Sequence, residues 1–214
     1  MSNKKKSATG NGKFTYRDYC QWPEERRCEL IDGEVFDMTP GPGRLHQEIL
    51  VEMTVVLHAF FKEKPGKLFV APFDVRLPKR KEADEKVTTV VQPDLLVICD
   101  EAKLDDKGCR GAPDLVVEIA SPSTLSHDRV KKLNLYEKSG VREFWIVDPG
   151  ENGTVMRFNL SSESRYGRPE IFDRTMNLTS EIFPGLSIAL DDIFPKPPPP
   201  PKGVRQPPPL FGRS

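Results

Sequence analysis

Two short segments of the sequence place carboxylates inside runs of apolar residues. They read Pro-Asp-Leu-Leu-Val at positions 93–97 and Pro-Asp-Leu-Val-Val-Glu at positions 113–118. Ionised carboxylates are seldom buried without a cationic partner or a metal ion, because removing each of them from water costs several kcal/mol. Asp94, Asp114 and Glu118 are therefore the first candidates for chemistry. Carboxylate oxygens of this kind are suitable ligands for a divalent cation.

Spacing along a strand decides which of these acids can act together. Side chains alternate across a strand, so Asp114 and Glu118 share one face, but the four positions between them correspond to about 13 Å. They cannot hold one metal ion together. Glu118 therefore requires a carboxylate from a neighbouring strand, and Asp94 is the candidate, since adjacent strands lie only ~4.8 Å apart. The alternative for Asp114 is a turn or cap residue after a proline, and Asp94 could likewise be a residue at the start of a strand.

A second helical segment follows these strands. Ser126 is a suitable N-cap and Gly140 a suitable C-terminal glycine, so the pattern predicts a helix over residues 127–139. Its predicted apolar face consists of Val130, Leu133 and Tyr136.

Lys132 lies at the border of that apolar face, whereas Lys131 points away from it. A lysine at such a border can lay its alkyl stem along the core and bring its ammonium group to a cleft. The alternative is a surface ion pair between Asp128 and Lys132, which are four residues apart in the favourable order. The sequence pattern by itself allows both.

The remaining elements indicate a single domain that mixes helices and strands. Asp32-Gly33 is a strong two-residue hairpin signal, and it predicts two short strands within residues 29–36. Apolar residues at intervals of three and four predict a helix over residues 44–62. Further strands are predicted at 68–77, 90–99, 115–120, 143–148, 154–159 and 170–172. This order predicts an α/β or α+β fold over residues 14–194, with one mixed sheet whose central strands are covered on both faces.

The charges are unevenly distributed along the chain. Its 214 residues include 32 Lys and Arg and 32 Asp and Glu. The first 13 and the last 20 residues hold eight cations and no acid, so residues 14–194 have 24 cations against 32 acids, a net charge of −8. An acidic domain disfavours a histone-like or non-specific DNA-coating protein. Residues 1–13 are predicted to be a disordered basic N-terminus and residues 195–214 a proline-rich disordered tail.

The sequence lacks the signals of a membrane or secreted protein. Its apolar runs are broken well short of the ~20 residues that a membrane helix requires, and no hydrophobic segment follows the N-terminal lysines. The four cysteines form no CxxC pair, and the three histidines lack zinc-ligand spacing with them. We therefore expect a cytoplasmic protein with reduced thiols.

An ordered series of motifs resembles one known family. From about residue 14 to residue 195 the sequence is similar to the putative restriction endonuclease family of bacteria, within the PD-(D/E)XK nuclease superfamily. The fragments that carry this resemblance are residues 29–34, His46, residues 74–76, 92–94, 113–118, 121–124 and 128–132, Tyr136 and residues 140–148. The resemblance implies a restriction-endonuclease-like core, in which a mixed β-sheet is flanked by helices. It also implies a Mg²⁺ or Mn²⁺ ion bound by Asp94, Glu118 and the backbone carbonyl of Ile119.

The catalytic lysine departs from the superfamily motif. The motif has a lysine two residues after the second acid, and this chain has Ala120 there. The family resembles one in which the lysine has moved to the following helix, and Lys132 matches that position. Glu29 and Glu48 are possible further acids from the front of the domain.

The activity implied by the resemblance is metal-dependent hydrolysis of DNA phosphodiesters. Asp94 and Glu118 would be the metal ligands and Lys132 the migrated catalytic lysine, in an enzyme that cuts DNA as a homodimer. The alternative is a catalytically inactive nuclease-like module that binds nucleic acid or a protein partner, as Ala120 suggests. A third hypothesis is an interaction adaptor whose functional part is the proline-rich tail.

Overall fold

Four helices and fourteen strands form the part of the chain that the structure describes. The structure is a computed structural model, and it describes residues 12–23, 25–38, 41–120, 127–150 and 152–196. The helices are α1 Tyr16–Tyr19, α2 Arg44–Phe61, α3 His127–Ser139 and α4 Leu190–Ile193. The strands are β1 Cys28–Ile31, β2 Glu34–Asp37, β3 Lys67–Val70, β4 Val75–Arg76, β5 Val90–Val91, β6 Leu95–Ile98, β7 Leu104–Asp105, β8 Gly108–Arg110, β9 Leu115–Ile119, β10 Glu143–Asp148, β11 Thr154–Asn159, β12 Glu170–Asp173, β13 Asn177–Thr179 and β14 Ser187–Ala189.

The strands form two six-stranded sheets and a hairpin. We call the first the N-terminal sheet, with strand order β2-β1-β5-β4-β8-β7, and the second the central sheet, with strand order β12-β11-β10-β9-β6-β3. β13 and β14 pair only with each other among the described strands. In the central sheet β9 and β10 are parallel and the other neighbours are antiparallel. The predicted mixed fold is confirmed, but the prediction of one sheet was wrong.

The central sheet is the middle layer of the domain. One of its faces packs on α2, α4 and the β13–β14 hairpin, in a cluster that includes Ile49, Met53, Leu57, Leu95, Val97, Leu115, Val117, Trp145, Leu178, Ile188, Leu190 and Ile193. The other face packs on α3 and the N-terminal sheet, in a cluster that includes Ile31, Val75, Val91, Leu96, Cys109, Val116, Tyr136, Phe144 and Ile146. Burial of each large apolar side chain stabilises the fold by about 1.5–3 kcal/mol. This coverage on both faces explains why the strand sequences are continuously apolar.

Two predicted strands are divided in the structure. Residues 68–77 form parts of β3 and β4, which belong to different sheets, and residues 90–99 contain β5 in the N-terminal sheet and β6 in the central sheet. Pro93 lies in the second break, where its missing N–H cannot donate to a ladder. The chain therefore crosses from one sheet to the other at Gln92, Pro93 and Asp94.

Other sequence predictions agree closely with the structure. Asp32 and Gly33 have φ values of 51° and 82°, as a type I′ hairpin turn requires, and they connect β1 to β2. The predicted helix 44–62 corresponds to α2, and Gly140 follows α3 with a φ of 87°. β10 and β11 have their predicted bounds, whereas α1, α4, β7, β8, β13 and β14 were not predicted.

Parts of the chain lie outside the described residues. These include residues 1–11 of the predicted basic N-terminus, the proposed N-cap Ser126 and residues 197–214 of the predicted proline-rich tail. Among the residues that are described, no helix is both long and apolar enough to cross a lipid bilayer. The domain boundaries at residues 14 and 194 stay a prediction.

Candidate functional site

Asp94 and Glu118, one acid from each strand segment, lie where the N-terminal and central sheets meet. β6 and β9 are antiparallel neighbours, with Leu95 opposite Val117. Extending that register by one residue places Asp94 opposite Glu118. The predicted adjacency of these two strands is therefore present, and it arises because the chain enters β6 directly after crossing between the sheets.

Lys132 joins Glu118 to an acid from the other sheet. Its Nζ donates to Oε1 of Glu118 at 3.0 Å and to Oε1 of Glu29, on β1, at 3.1 Å. The three side chains are largely buried, with 11%, 17% and 5% of the surface of Lys132, Glu118 and Glu29 exposed. The hydroxyl of Tyr136, one turn further along α3, also donates to Oε1 of Glu118, at 2.6 Å. The lysine ammonium is thus directed into the domain and held between two carboxylates.

Asp94 is fixed by two contacts to the same oxygen. Oδ2 accepts the backbone N–H of Ile119 at 2.7 Å and lies 3.1 Å from Nε2 of His46 on α2. An ionised carboxylate has only acceptors, so Nε2 is the donor in this contact. Nδ1 of His46 is buried and has no hydrogen-bond partner in the described part of the chain. Oδ1 of Asp94 accepts no hydrogen bond from the described residues, and 18% of the side chain remains exposed.

Glu29 is held from behind by the crossover segment. The backbone N–H of Gln92 donates to Oε1 of Glu29 at 2.9 Å. The Gln92 side chain donates from Nε2 to Oδ1 of Asp74 at 2.8 Å and to the Tyr19 hydroxyl at 3.2 Å, and that hydroxyl donates to Asp74 at 3.0 Å. Gln92 of the crossover therefore positions Glu29, and Asp94 follows it by two residues.

The site carries more negative than positive charge. Among the side chains that the structure describes, Glu29 and Glu118 contact one lysine, and Asp94 contacts a histidine that is positive only when protonated. Burial raises the pKa of Glu118 to about 7, and the charges of Asp94 and Glu29 act in the same direction. Lys132 and the Tyr136 hydroxyl oppose this shift without cancelling it. Burial and the neighbouring Glu118 raise the pKa of Tyr136 well above its ordinary value, so its hydroxyl stays protonated as a donor.

Comparison with known proteins assigns the family. The Uma2 family model, described as a putative restriction endonuclease, matches residues 16–191 of the chain. The chain belongs to the Uma2 family. This match confirms the resemblance that the motifs indicated.

Two individual proteins are similar over most of their length. The protein slr1290 of Synechocystis sp., described as uncharacterized, is 26% identical over 190 residues, which are 85% of this chain and 92% of that protein. The crystal structure of a putative nuclease belonging to DUF820 from Anabaena variabilis has a TM-score of 0.67 and 22% identity. That match covers 85% of this chain and 97% of the other, and it confirms the predicted fold class.

The oxygen atoms of this Uma2 site limit how a metal ion could bind. Among the described residues, no three His, Cys, Asp or Glu side chains are arranged to hold a metal ion. Oε2 of Glu118, like Oδ1 of Asp94, accepts no hydrogen bond from those residues. Two carboxylate oxygens that are free of hydrogen bonds and partly exposed suit Mg²⁺, which binds through one or two carboxylates and keeps several waters.

Other candidate residues lie away from this group. Asp114 accepts the Cys99 backbone N–H at 2.8 Å and the Arg142 guanidinium at 3.1 Å, so it ties strand ends together, as its alternative interpretation suggested. Glu48 forms an exposed ion pair with Arg44 at 2.5 Å. The Nζ of Lys131 lies 4.4 Å from the ring centroid of Phe36, on the surface of the β1–β2 hairpin.

Three features of the site differ from what the sequence pattern predicted. The predicted apolar face of α3 is wrong at Val130, which is 58% exposed, and Tyr136 contributes a hydroxyl as well as a ring. His46 was a candidate only through the family resemblance, although a histidine at the start of an amphipathic helix was a visible signal. Glu29 was only a secondary candidate, because its distance from Lys132 depends on how two sheets pack.

The raised pKa of Glu118 predicts a pH-dependent stability. Between about pH 4.5 and pH 7 the folded protein keeps a proton that the unfolded chain has lost, so this group makes the free energy of unfolding fall as pH rises. The slope for one proton is at most about 1.4 kcal/mol per pH unit. Urea unfolding in EDTA at several pH values should show this decrease in the wild type relative to Glu118→Gln. A difference between the two proteins that stays constant with pH would contradict the assignment.

Asp114 is predicted to affect stability alone. Asp114→Ala leaves the Cys99 N–H without its acceptor and should lower the free energy of unfolding by about 1 kcal/mol. Asp114→Asn keeps an acceptor oxygen, so its free energy of unfolding should fall by less. Urea unfolding of both variants at pH 7 measures this, and equal stability of Asp114→Ala and the wild type would argue against the structural role.

Proposed function

We propose that the chain is a divalent-metal-dependent nuclease that hydrolyses DNA phosphodiester bonds at Asp94, Glu118 and Lys132. The observation that carries this proposal is the contact of the Lys132 ammonium with Glu118 at 3.0 Å. It brings a lysine from α3 to the second acid of the motif, although Ala120 occupies the usual position. Family membership supports nuclease activity, and the ligands, the metal and DNA as the substrate are parts of the proposal.

Charge balance supports a divalent cation at this site. Of three carboxylates that are mostly removed from water, Glu29 and Glu118 contact Lys132, and Asp94 contacts His46. An excess of negative charge in a partly buried site is costly unless a cation compensates it. Asp94, Glu118 and the Ile119 carbonyl would bind Mg²⁺ or Mn²⁺, whose chemistry is to stabilise charge on the phosphoryl group and to lower the pKa of bound water.

The protein side chains have separate tasks in this proposal. His46 and the Ile119 N–H orient Asp94 so that Oδ1 faces outward. Glu29 holds Lys132 at Glu118, which keeps the ammonium group beside the scissile bond instead of in solvent. From there the Lys132 ammonium can orient the attacking water or stabilise the developing negative charge. The homodimer, the cytoplasmic location and any partner of the proline-rich tail stay predictions.

Three substitutions and a cleavage assay test the proposed nuclease. The wild type should nick or cut plasmid DNA with Mg²⁺ or Mn²⁺ and lose this activity in EDTA. Asp94→Ala and Glu118→Ala should each abolish Mn²⁺ binding in calorimetry, because each removes one of two carboxylate ligands. Lys132→Ala should bind Mn²⁺ and lose at least ~100-fold in cleavage rate, on the order expected for a lost charge-stabilising donor.

Lys131→Ala is the matched control, since it removes the neighbouring lysine of α3 and should leave both metal binding and cleavage unchanged. If DNA and RNA remain intact across several metals while DNA still binds without metal, the inactive nuclease-like module replaces the enzyme. If Asp114→Ala removes the metal and Asp94→Ala does not, the proposed ligand pair is wrong.

His46 provides a second test of the proposed metal site. His46→Leu removes the donor to Asp94 and should weaken Mn²⁺ binding about 10-fold to 100-fold, the usual effect of losing a partner that orients a ligand. His46→Gln can place an amide N–H near the same oxygen and should retain affinity within about threefold of the wild type. Calorimetry with Mn²⁺ compares the two variants. Equal losses in both would mean that His46 acts through packing and not through its hydrogen bond.

A further inference from the structure

Lysines from three segments lie around the tip of the β1–β2 hairpin. The Nζ of Lys79 lies 2.5 Å from Oδ1 of Asp32. The Lys13 side chain packs against Gly33, where an added Cβ would meet its Cβ at 2.6 Å. We call Lys13, Lys79 and Lys138 the hairpin lysine cluster.

The charge of Asp32 links the remaining lysine to this group. A hydrogen bond from Lys79 is the main cause that lowers the pKa of Asp32, and the charges of Lys13 and Lys138 act in the same direction. Lys138, at the end of α3, therefore lies within electrostatic range of the hairpin turn. Helix α3 thus contributes Lys138 to the surface that Lys13 and Lys79 form around the hairpin.

The cluster is locally basic on an acidic domain. Its three lysines exceed by one the two acids of the turn, Asp32 and Glu34. Residues 14–194 as a whole have 24 cations against 32 acids. Lys13, Lys79 and Lys138 are all exposed at the surface, where a ligand from solvent can reach them, and Lys79 shares its charge with Asp32.

The hairpin that the cluster surrounds and the helix that carries Lys138 both lead directly to the candidate site. Asp32 follows Glu29 by three residues of an extended strand, which is about 10 Å. Lys138 follows Lys132 by six residues of helix, which is about 9 Å. Successive phosphates of one DNA strand advance ~3.4 Å along the duplex axis, so a separation of this size corresponds to about three nucleotide steps.

We propose that the hairpin lysine cluster binds the backbone phosphates of the nucleic acid on one side of the cleaved bond. The inference rests on the proposed function, since it takes the site as the position of the scissile phosphate. Phosphate contacts of this kind position a substrate without reading its sequence. An anionic membrane surface is the competing ligand for exposed lysines, but it would not explain why the cluster adjoins the catalytic candidates.

The test measures DNA binding in EDTA, so that no cleavage is involved. A fluorescent duplex of about 20 base pairs is titrated with the full chain by anisotropy at several NaCl concentrations. The double variant Lys79→Gln/Lys138→Gln should reduce the slope of log K against log salt by about 1.8, since each lost phosphate contact accounts for ~0.9. Its affinity should fall at least about tenfold at low salt, with an unchanged thermal unfolding transition.

The matched control is Lys62→Gln/Lys67→Gln, at the far end of α2. Lys67 is ion-paired with Glu101 at 3.0 Å, as Lys79 is with Asp32, and Lys62 is exposed to solvent. Lys62 is sixteen residues from His46, about 24 Å along the helix, so this variant should keep the slope and affinity of the wild type. A loss equal in both double variants, or an unchanged slope in the cluster variant, overturns the proposal.

The outcomes separate this inference from the proposed function. If the wild type binds DNA through the cluster but does not cleave it, phosphate binding by the cluster is supported and the proposed nuclease activity is refuted. If the wild type cleaves DNA and the cluster variant binds DNA normally, only phosphate binding by the cluster is refuted. Binding to vesicles containing phosphatidylserine but not to DNA or RNA overturns the inference in favour of a membrane ligand.

Discussion

One ammonium group connects the three layers around the site. Lys132 on α3 contacts Glu29 from the N-terminal sheet and Glu118 from the central sheet, and all three side chains are largely removed from water. Breaking a buried ion pair by removing one partner typically costs about 3–5 kcal/mol, because the remaining charge is left without compensation. The packing of α3 against both sheets is therefore coupled to the charge state of the site. The same packing buries Glu118 and brings Asp94 and Glu29 near it, and burial first and these charges second raise its pKa.

The crossover at residues 92–94 determines which acids meet. Pro93 interrupts the ladder, so one continuous apolar sequence becomes two short strands in different sheets. On one side of the proline, the Gln92 N–H holds Glu29, and on the other, Asp94 faces β9. A straight strand over residues 90–99 would keep both groups within one sheet. The division that the apolar pattern concealed is thus the feature that assembles the site.

The sequence patterns predicted correctly those elements whose formation depends on interactions within one segment of the chain. The hairpin at Asp32, helix α2 and strands β10 and β11 follow from turn chemistry and from periodicity within one segment. The pairing of Asp94 with Glu118 was also accessible, because strand spacing allows only a neighbouring strand to supply the second acid. The hydrogen bond of His46 to Asp94 and the contact of Glu29 with Lys132 could not be predicted from the sequence, since they depend on how α2 and the N-terminal sheet pack on the central sheet. Val130 was misassigned for the same reason, as amphipathicity alone does not show where a neighbouring layer ends.

The contact of Lys132 with Glu118 shows that a lysine can reach this acid from a sequence position other than residue 120. A lysine at position 120 would share a face with Glu118 and start about 6.6 Å from it along the strand. Helix α3 packs on that same face, as the burial of Tyr136 with Val116 shows. A long side chain from one turn earlier on α3 can therefore reach the carboxylate from above the sheet, as Lys132 does at 3.0 Å. The helix must then hold its position more strictly than a strand neighbour would, and the hydrogen bond of Tyr136 to the same oxygen provides a second attachment of α3 to Glu118.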